Sequence, residues 1–170
     1  LIQKNNNKNI NISLIAFSVF LTFFIAFRYE VGGDWFTYQI NYDSVAEKDL
    51  FYSLRAYSSK LVVLIIYFTK NFNIFTETLV LGLIFSFFYI KYLISTNFFF
   101  LSAFITFPVF VVLAGMGYVH QGVAVVVCWQ VLINYQKKTP LEIIAYIAFA
   151  SLIHLSALVF LFFLIHKLIK

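Results

Sequence analysis

Phe98-Phe99-Phe100-Leu101-Ser102-Ala103-Phe104-Ile105-Thr106-Phe107-Pro108-Val109-Phe110-Val111-Val112-Leu113-Ala114 runs without a single charge. Predominantly apolar runs, with only Glu77, Lys91 and Glu142 charged, lie at about 74–94 and 141–165. Each approaches the roughly 20 apolar residues that carry a helix across a bilayer, and no soluble core is assembled from blocks of that length. Working outward, Ile10 to Phe27 reads as a first span, too long for the apolar part of a signal peptide and without a small-x-small cleavage signature. Residues 119–135 form a shorter one, opening on His120 and Gln121.

Composition agrees. Hydrophobic residues make up 62% of the 170, aromatic residues 21% and charged residues 11%, against roughly 25% charged in a soluble globular domain. The expected fold is all-α: one polytopic transmembrane helical bundle over residues 1–170. It has about five or six membrane helices, one of them short or re-entrant. The net charge of +5 is ordinary juxtamembrane charge, so no nucleic-acid partner is expected. Cys128 sits inside an apolar run and supports neither a disulfide nor a metal site. His120 and His154 have no convincing third ligand, and no phosphate-binding loop or nucleophile elbow is present.

Residues 28–60 are the one substantial polar region and read as an extracytoplasmic loop. The Leu61–Phe68 stretch after them is only eight residues long, either a tilted crossing begun at Leu54 or a re-entrant or interfacial helix. If it does not cross, Lys4, Lys8, Lys91, Lys137 and Lys138 face the cytoplasm; if it does, Lys4, Lys8, Lys70, Lys167 and Lys170 do. Counting basic residues does not separate the two. The first arrangement is preferred because it gathers the 28–60 loop, the Gly115–Gln121 turn and the outer half of the last span on one side.

So few charges make the polar positions countable, and each carries two readings. Arg28, at the end of the first span, is an interfacial anchor or a planar fork for anionic oxygens. Gly32 and Gly33 make a turn that delivers Asp34, Trp35 and Tyr38, as an aromatic belt or as a sugar site. Gly115, Gly117 and Gly122 bracket His120 and Gln121 at a break between spans, where His120 holds a headgroup or supplies charge. His154, inside the last span with Ser151 and Ala157 three residues to either side, bridges helices or floors a cavity. Gln130 reads as interhelical glue. Pro140 opens the last span at little cost, whereas Pro108 kinks the 98–114 span unless neighbouring groups compensate.

In this order, Phe27-Arg28, Gly32-Gly33-Asp34-Trp35 with Tyr38, Gly117-Tyr118-Val119-His120-Gln121-Gly122-Val123-Ala124 and His154-Leu155-Ser156-Ala157-Leu158 resemble the EpsG-like branch of the Wzy-type polysaccharide polymerases. The resemblance implies a multi-pass protein of the bacterial inner membrane, its N-terminus cytoplasmic. It implies an activity joining lipid-linked oligosaccharide repeat units into exopolysaccharide, capsule or O-antigen. Arg28 and Asp34 map to its first-loop motif, His120 and Gln121 to an Arg-Gln motif, and His154 to a histidine motif. His120 stands where arginine is usual, so pyrophosphate binding there is weaker or pH-dependent. The chain is about half the family length, which implies an incomplete part of a longer protein.

On that resemblance Asp34 is the expected base, ahead of His154, while Arg28, His120 and Gln121 bind the leaving pyrophosphate and Trp35 and Tyr38 cover the sugar. Polyprenyl-pyrophosphate-linked oligosaccharide, membrane lipid and polysaccharide assembly proteins are the implied partners. No cofactor or nucleotide-sugar is needed, because the lipid is already the activated donor. The rival readings are a transporter, flippase or accessory subunit, in which Arg28 and Asp34 gate as an ion pair, and an inactive fragment.

Overall fold

The computed structural model describes residues 2–169, with side chains from Ile12 onward; Leu1, Lys170 and the side chains of the Lys4–Asn9 lead-in lie outside it. Among the described residues there is no strand. The helices are α1 (Ile2–Ala26), α2 (Trp35–Glu47), α3 (Leu50–Ala56), α4 (Lys60–Thr69), α5 (Ile74–Ser95), α6 (Phe99–Thr106), α7 (Val119–Leu132), α8 (Pro140–Ile153) and α9 (Leu161–Ile169). The all-α bundle expected from the sequence is what forms. Among the residues with described side chains, two helices are long and apolar enough to cross a membrane, α5 and the continuous helix Phe99–Gly117; the described apolar part of α1, Ile12–Ala26, and the other apolar helices are shorter.

The α1–α5 pair is the spine of the bundle. Small residues recur every four positions on both helices, as Ser18, Thr22 and Ala26 on one and Thr78, Gly82 and Ser86 on the other. Such a stripe lets backbones approach closely and form hydrogen bonds between helices, which is how helices associate where lipid supplies no hydrophobic drive. A Cβ on Gly82 would lie 2.8 Å from the Thr22 carbonyl oxygen. Thr22 Oγ1 donates to Ser86 Oγ at 3.0 Å, and Thr78 Oγ1 donates to the Ala26 carbonyl at 2.9 Å. The end of α1 therefore meets the start of α5.

That contact bears on the 61–68 segment. The chain leaves α1 and enters α5 at the same end, so α2, α3 and α4 form an excursion that returns there. Within the 28–60 region the chain is largely helical. Trp35, Tyr38, Tyr42 and Val45 line the buried face of α2, and Tyr42 donates to the Thr69 carbonyl at 2.8 Å, tying α2 to α4. The Asp49 carboxylate accepts the Phe51 N–H at 2.8 Å and so starts α3.

At Pro108 the neighbouring backbone compensates: it passes at Phe107 into a π-helix that continues to Gly117, whose wider turn accommodates the proline. The chain then turns at Tyr118 and runs back down α7, with Gly122 packed against the Ala114 carbonyl. Gln130 Nε2 donates to the Phe88 carbonyl at 2.9 Å, joining α7 to α5.

The 141–165 run is not one span. Thr139 and Glu142 form a reciprocal cap with Pro140 in the first turn, and α8 climbs fourteen residues to His154. There the backbone becomes extended, at φ −153° and ψ 131°. A 3-10 turn, Leu155–Phe160, and α9 then lead back down. Tyr135, at the foot of α7, donates to the Phe163 carbonyl at 2.7 Å, which fixes the return. At 1.5 Å per residue α8 rises about 21 Å, short of the roughly 30 Å apolar thickness of a bilayer. His154 is the apex of a helical hairpin rather than a mid-span residue, because its own side chain caps the break: His154 Nδ1 accepts the Ser156 N–H at 3.2 Å.

Candidate active site

Four segments distant in sequence end at one place: the tail of α1, the head of α5, the π-helix–α7 turn and the α8 apex. Glu30 at φ 52° and Gly32 at φ 92° reverse the chain after α1. Gly32 must be glycine twice over: its φ is left-handed, and a Cβ would collide with the Gly117 backbone, 2.6 Å from its Cα. Gly33 packs beneath the Tyr118 hydroxyl. A Cβ on Gly117 would meet nothing, so Gly117 matters only as the surface that Gly32 presses on.

Arg28 does not snorkel. It is 2% exposed, its Nη1 donates to the Met116 carbonyl at the end of the π-helix, and its guanidinium lies 5.5 Å from the Trp35 ring and 5.3 Å from the Tyr38 ring. Nε and Nη2 have no hydrogen-bond partner. Burial pulls the guanidinium below its ordinary value, while Tyr38, Glu77 and Asp34 push it back up. It remains a cation; Glu77 and Asp34 act on it electrostatically, without an ion pair among the described residues.

Trp35 and Tyr38 are not open sugar platforms. Both are buried. Trp35 packs on Phe75 at 6.0 Å and Tyr29 at 5.9 Å, and the Tyr38 ring lies 4.1 Å from the His120 ring. The buried face of α2 turns them inward, where they hold Arg28. Burial, and then the Asp34 charge, push the Tyr38 phenol well above its ordinary range. Neutral Tyr38 donates to Asp34 Oδ2 at 3.3 Å. Asp34 sits at the N-cap of α2 but makes no capping bond, and its partly exposed carboxylate stays available.

His120 is also engaged. Its Nε2 lies 2.9 Å from Glu77 Oε1, and Glu77, 1% exposed, leaves Oε2 unpartnered. Sequence reasoning missed Glu77, although a carboxylate in an apolar span carries a cost that demands a partner. Gln121 is exposed and does not join His120, because consecutive helical residues face different ways.

His154 is partly exposed and within electrostatic reach of His120 and Asp34. Nδ1 accepts the Ser156 N–H, and Ser156 Oγ lies 2.8 Å from the same nitrogen. The neutral ring therefore carries its proton on Nε2 and presents a donor. Among the described residues no three His, Cys, Asp or Glu side chains gather to hold a metal ion.

The site thus offers a buried cation with two unpartnered nitrogens, two carboxylates with free oxygens and a histidine donor. Neither a curated protein nor a solved structure matches the chain. One family does: the EpsG family, which is polysaccharide polymerase-like, matches residues 11–170. With the match spanning nearly its whole length, the chain belongs to the EpsG family.

Proposed function

We propose that the protein polymerises lipid-linked oligosaccharide repeat units into a bacterial surface polysaccharide, as a multi-pass protein of the inner membrane with the site on its outer face. The observation that carries this reading is the convergence of Arg28, Asp34, Glu77, His120 and His154 from four segments onto one end of the bundle. Large exposed apolar side chains such as Phe100, Phe104 and Phe162 suit a lipid environment.

In the reaction, an acceptor hydroxyl attacks the anomeric carbon of the donor sugar. The new carbon–oxygen bond forms as the bond to pyrophosphate breaks, the hydroxyl proton passes to Asp34, and polyprenyl pyrophosphate leaves with the electron pair. Asp34 suits the base because its carboxylate is accessible and oriented by Tyr38. His154 is less suited, since its Nε2 is a donor; it hydrogen-bonds a sugar or phosphate oxygen instead. Arg28 lies behind them in a low-dielectric setting, where a fixed cation stabilises departing negative charge more than it would in water. Trp35 and Tyr38 hold that cation in place. Glu77 holds His120, whose ring backs Tyr38, and Gln121 lies at the edge.

Complementation of a polymerase-deficient strain tests this. The full-length gene carrying Arg28→Ala or Asp34→Asn should restore no long polymer at normal membrane levels. Wild-type chain lengths from both variants would remove the proposed roles.

A further inference from the structure

The end of the bundle away from Arg28 holds a second site. Between α5 and α8, in front of α7, lies a groove of about 380 Å³ lined by Phe88, Glu142, Ala145, Tyr146 and Phe149. Phe88 bridges it, with its ring 6.4 Å from Tyr146 and 6.3 Å from Phe149. One turn beyond Phe88, Lys91 Nζ donates to the Tyr146 hydroxyl at 3.2 Å. From the loop before α8, Lys138 reaches within 5.1 Å of the same ring.

Two ammonium groups thus converge on one tyrosine, and neither has an ion-pair partner; the ion pair among the described residues is His120–Glu77. The groove's own carboxylate, Glu142, feels the Lys138 charge but forms no ion pair with either lysine. Glu142 Oε2 accepts the Thr139 N–H at 2.7 Å and lies 3.0 Å from its hydroxyl, as the cap of α8. The groove is ordered lengthwise: Phe88 and Phe149 lie toward the middle of the bundle, with Lys91, Lys138 and the Tyr146 hydroxyl at its end. That order matches a molecule with an apolar chain and an anionic head. Because Tyr146 accepts from Lys91, its own O–H is free to donate.

We propose that this groove seats an anionic phospholipid. The acyl chain lies along Phe88, Ala145 and Phe149, and the phosphate sits between Lys91 and Lys138 with a hydrogen bond from Tyr146. Basic pockets between membrane helices hold anionic headgroups in this way. The inference rests on the membrane-spanning reading alone and not on the glycosyl-transfer chemistry.

Native mass spectrometry of the full-length protein, released from detergent with phosphatidylglycerol, phosphatidylcholine or a polyprenyl phosphate, tests it. Phosphatidylglycerol should be retained over phosphatidylcholine on the order of tenfold. Lys91→Gln with Lys138→Gln should abolish the preference. Ala145→Trp, at an exposed position, should displace the lipid by filling the groove. Lys48→Gln, which removes a lysine stacked on Tyr52 and not lining this groove, should change nothing. Equal retention of the two phospholipids, survival of the preference in the double variant, or selection of the polyprenyl phosphate would each overturn the proposal. Polymer length in cells, read separately, reports on the candidate active site and not on this one.

Discussion

Glu77 Oε1 lies 2.9 Å from His120 Nε2, joining α5 to α7 inside the bundle. Both side chains are buried, so each makes the other tolerable. Removing one partner of a buried pair costs more than removing both, because the survivor is left without compensation. His120→Ala should therefore destabilise the protein by about 3–5 kcal/mol. Glu77→Leu with His120→Leu should recover a large part of that loss. Thermal unfolding in detergent checks this, and a double variant worse than His120→Ala would show that the pair does not stabilise the fold.

Two glycines of the same motif set should behave oppositely. Gly32→Ala combines a left-handed φ of 92° with a backbone collision at Gly117, and should cost about 1–3 kcal/mol or more. Gly117→Ala meets open space and should leave the melting temperature within about 2 °C, a change well under 1 kcal/mol. Equal losses would mean that the chain reversal after α1 is wrongly placed.

The excursion through α2–α4 makes a topological prediction on the membrane reading. Cysteines replacing Gln39 and Asn73 in a Cys128→Ser background should be labelled by an impermeant reagent from one side, and those replacing Asn97 and Gln136 from the other. Labelling of positions 39 and 73 from opposite sides would mean that α4 crosses.

Much of this arrangement was legible in the sequence. The 74–94 run became α5 almost residue for residue, and the Gly-Gly turn, the Gly115–Gly122 break and Arg28 all lie at the site. What was not legible depends on tertiary context. His154 sits in a run without Gly or Pro, and only the local Ser156–His154 bond, which competes with helix formation, marks the hairpin apex. Trp35 and Tyr38 resemble an interfacial belt until the buried face of α2 is seen packing against Arg28. Pro108 predicts a kink, but a π-helix meets the same steric demand. Glu77 was overlooked because a single charge does not interrupt an apolar run, and its partner lies 43 positions away.

The central claim is that Asp34 takes the acceptor proton at a site backed by Arg28. The most direct test is polyprenyl pyrophosphate release by the purified full-length protein in liposomes supplied with lipid-linked repeat units. General-base catalysis contributes about 10²–10⁴-fold, so Asp34→Asn should lower the rate at least about 100-fold with an unchanged melting temperature. A rate within about threefold of wild type, a difference under 1 kcal/mol in the barrier, would contradict the account.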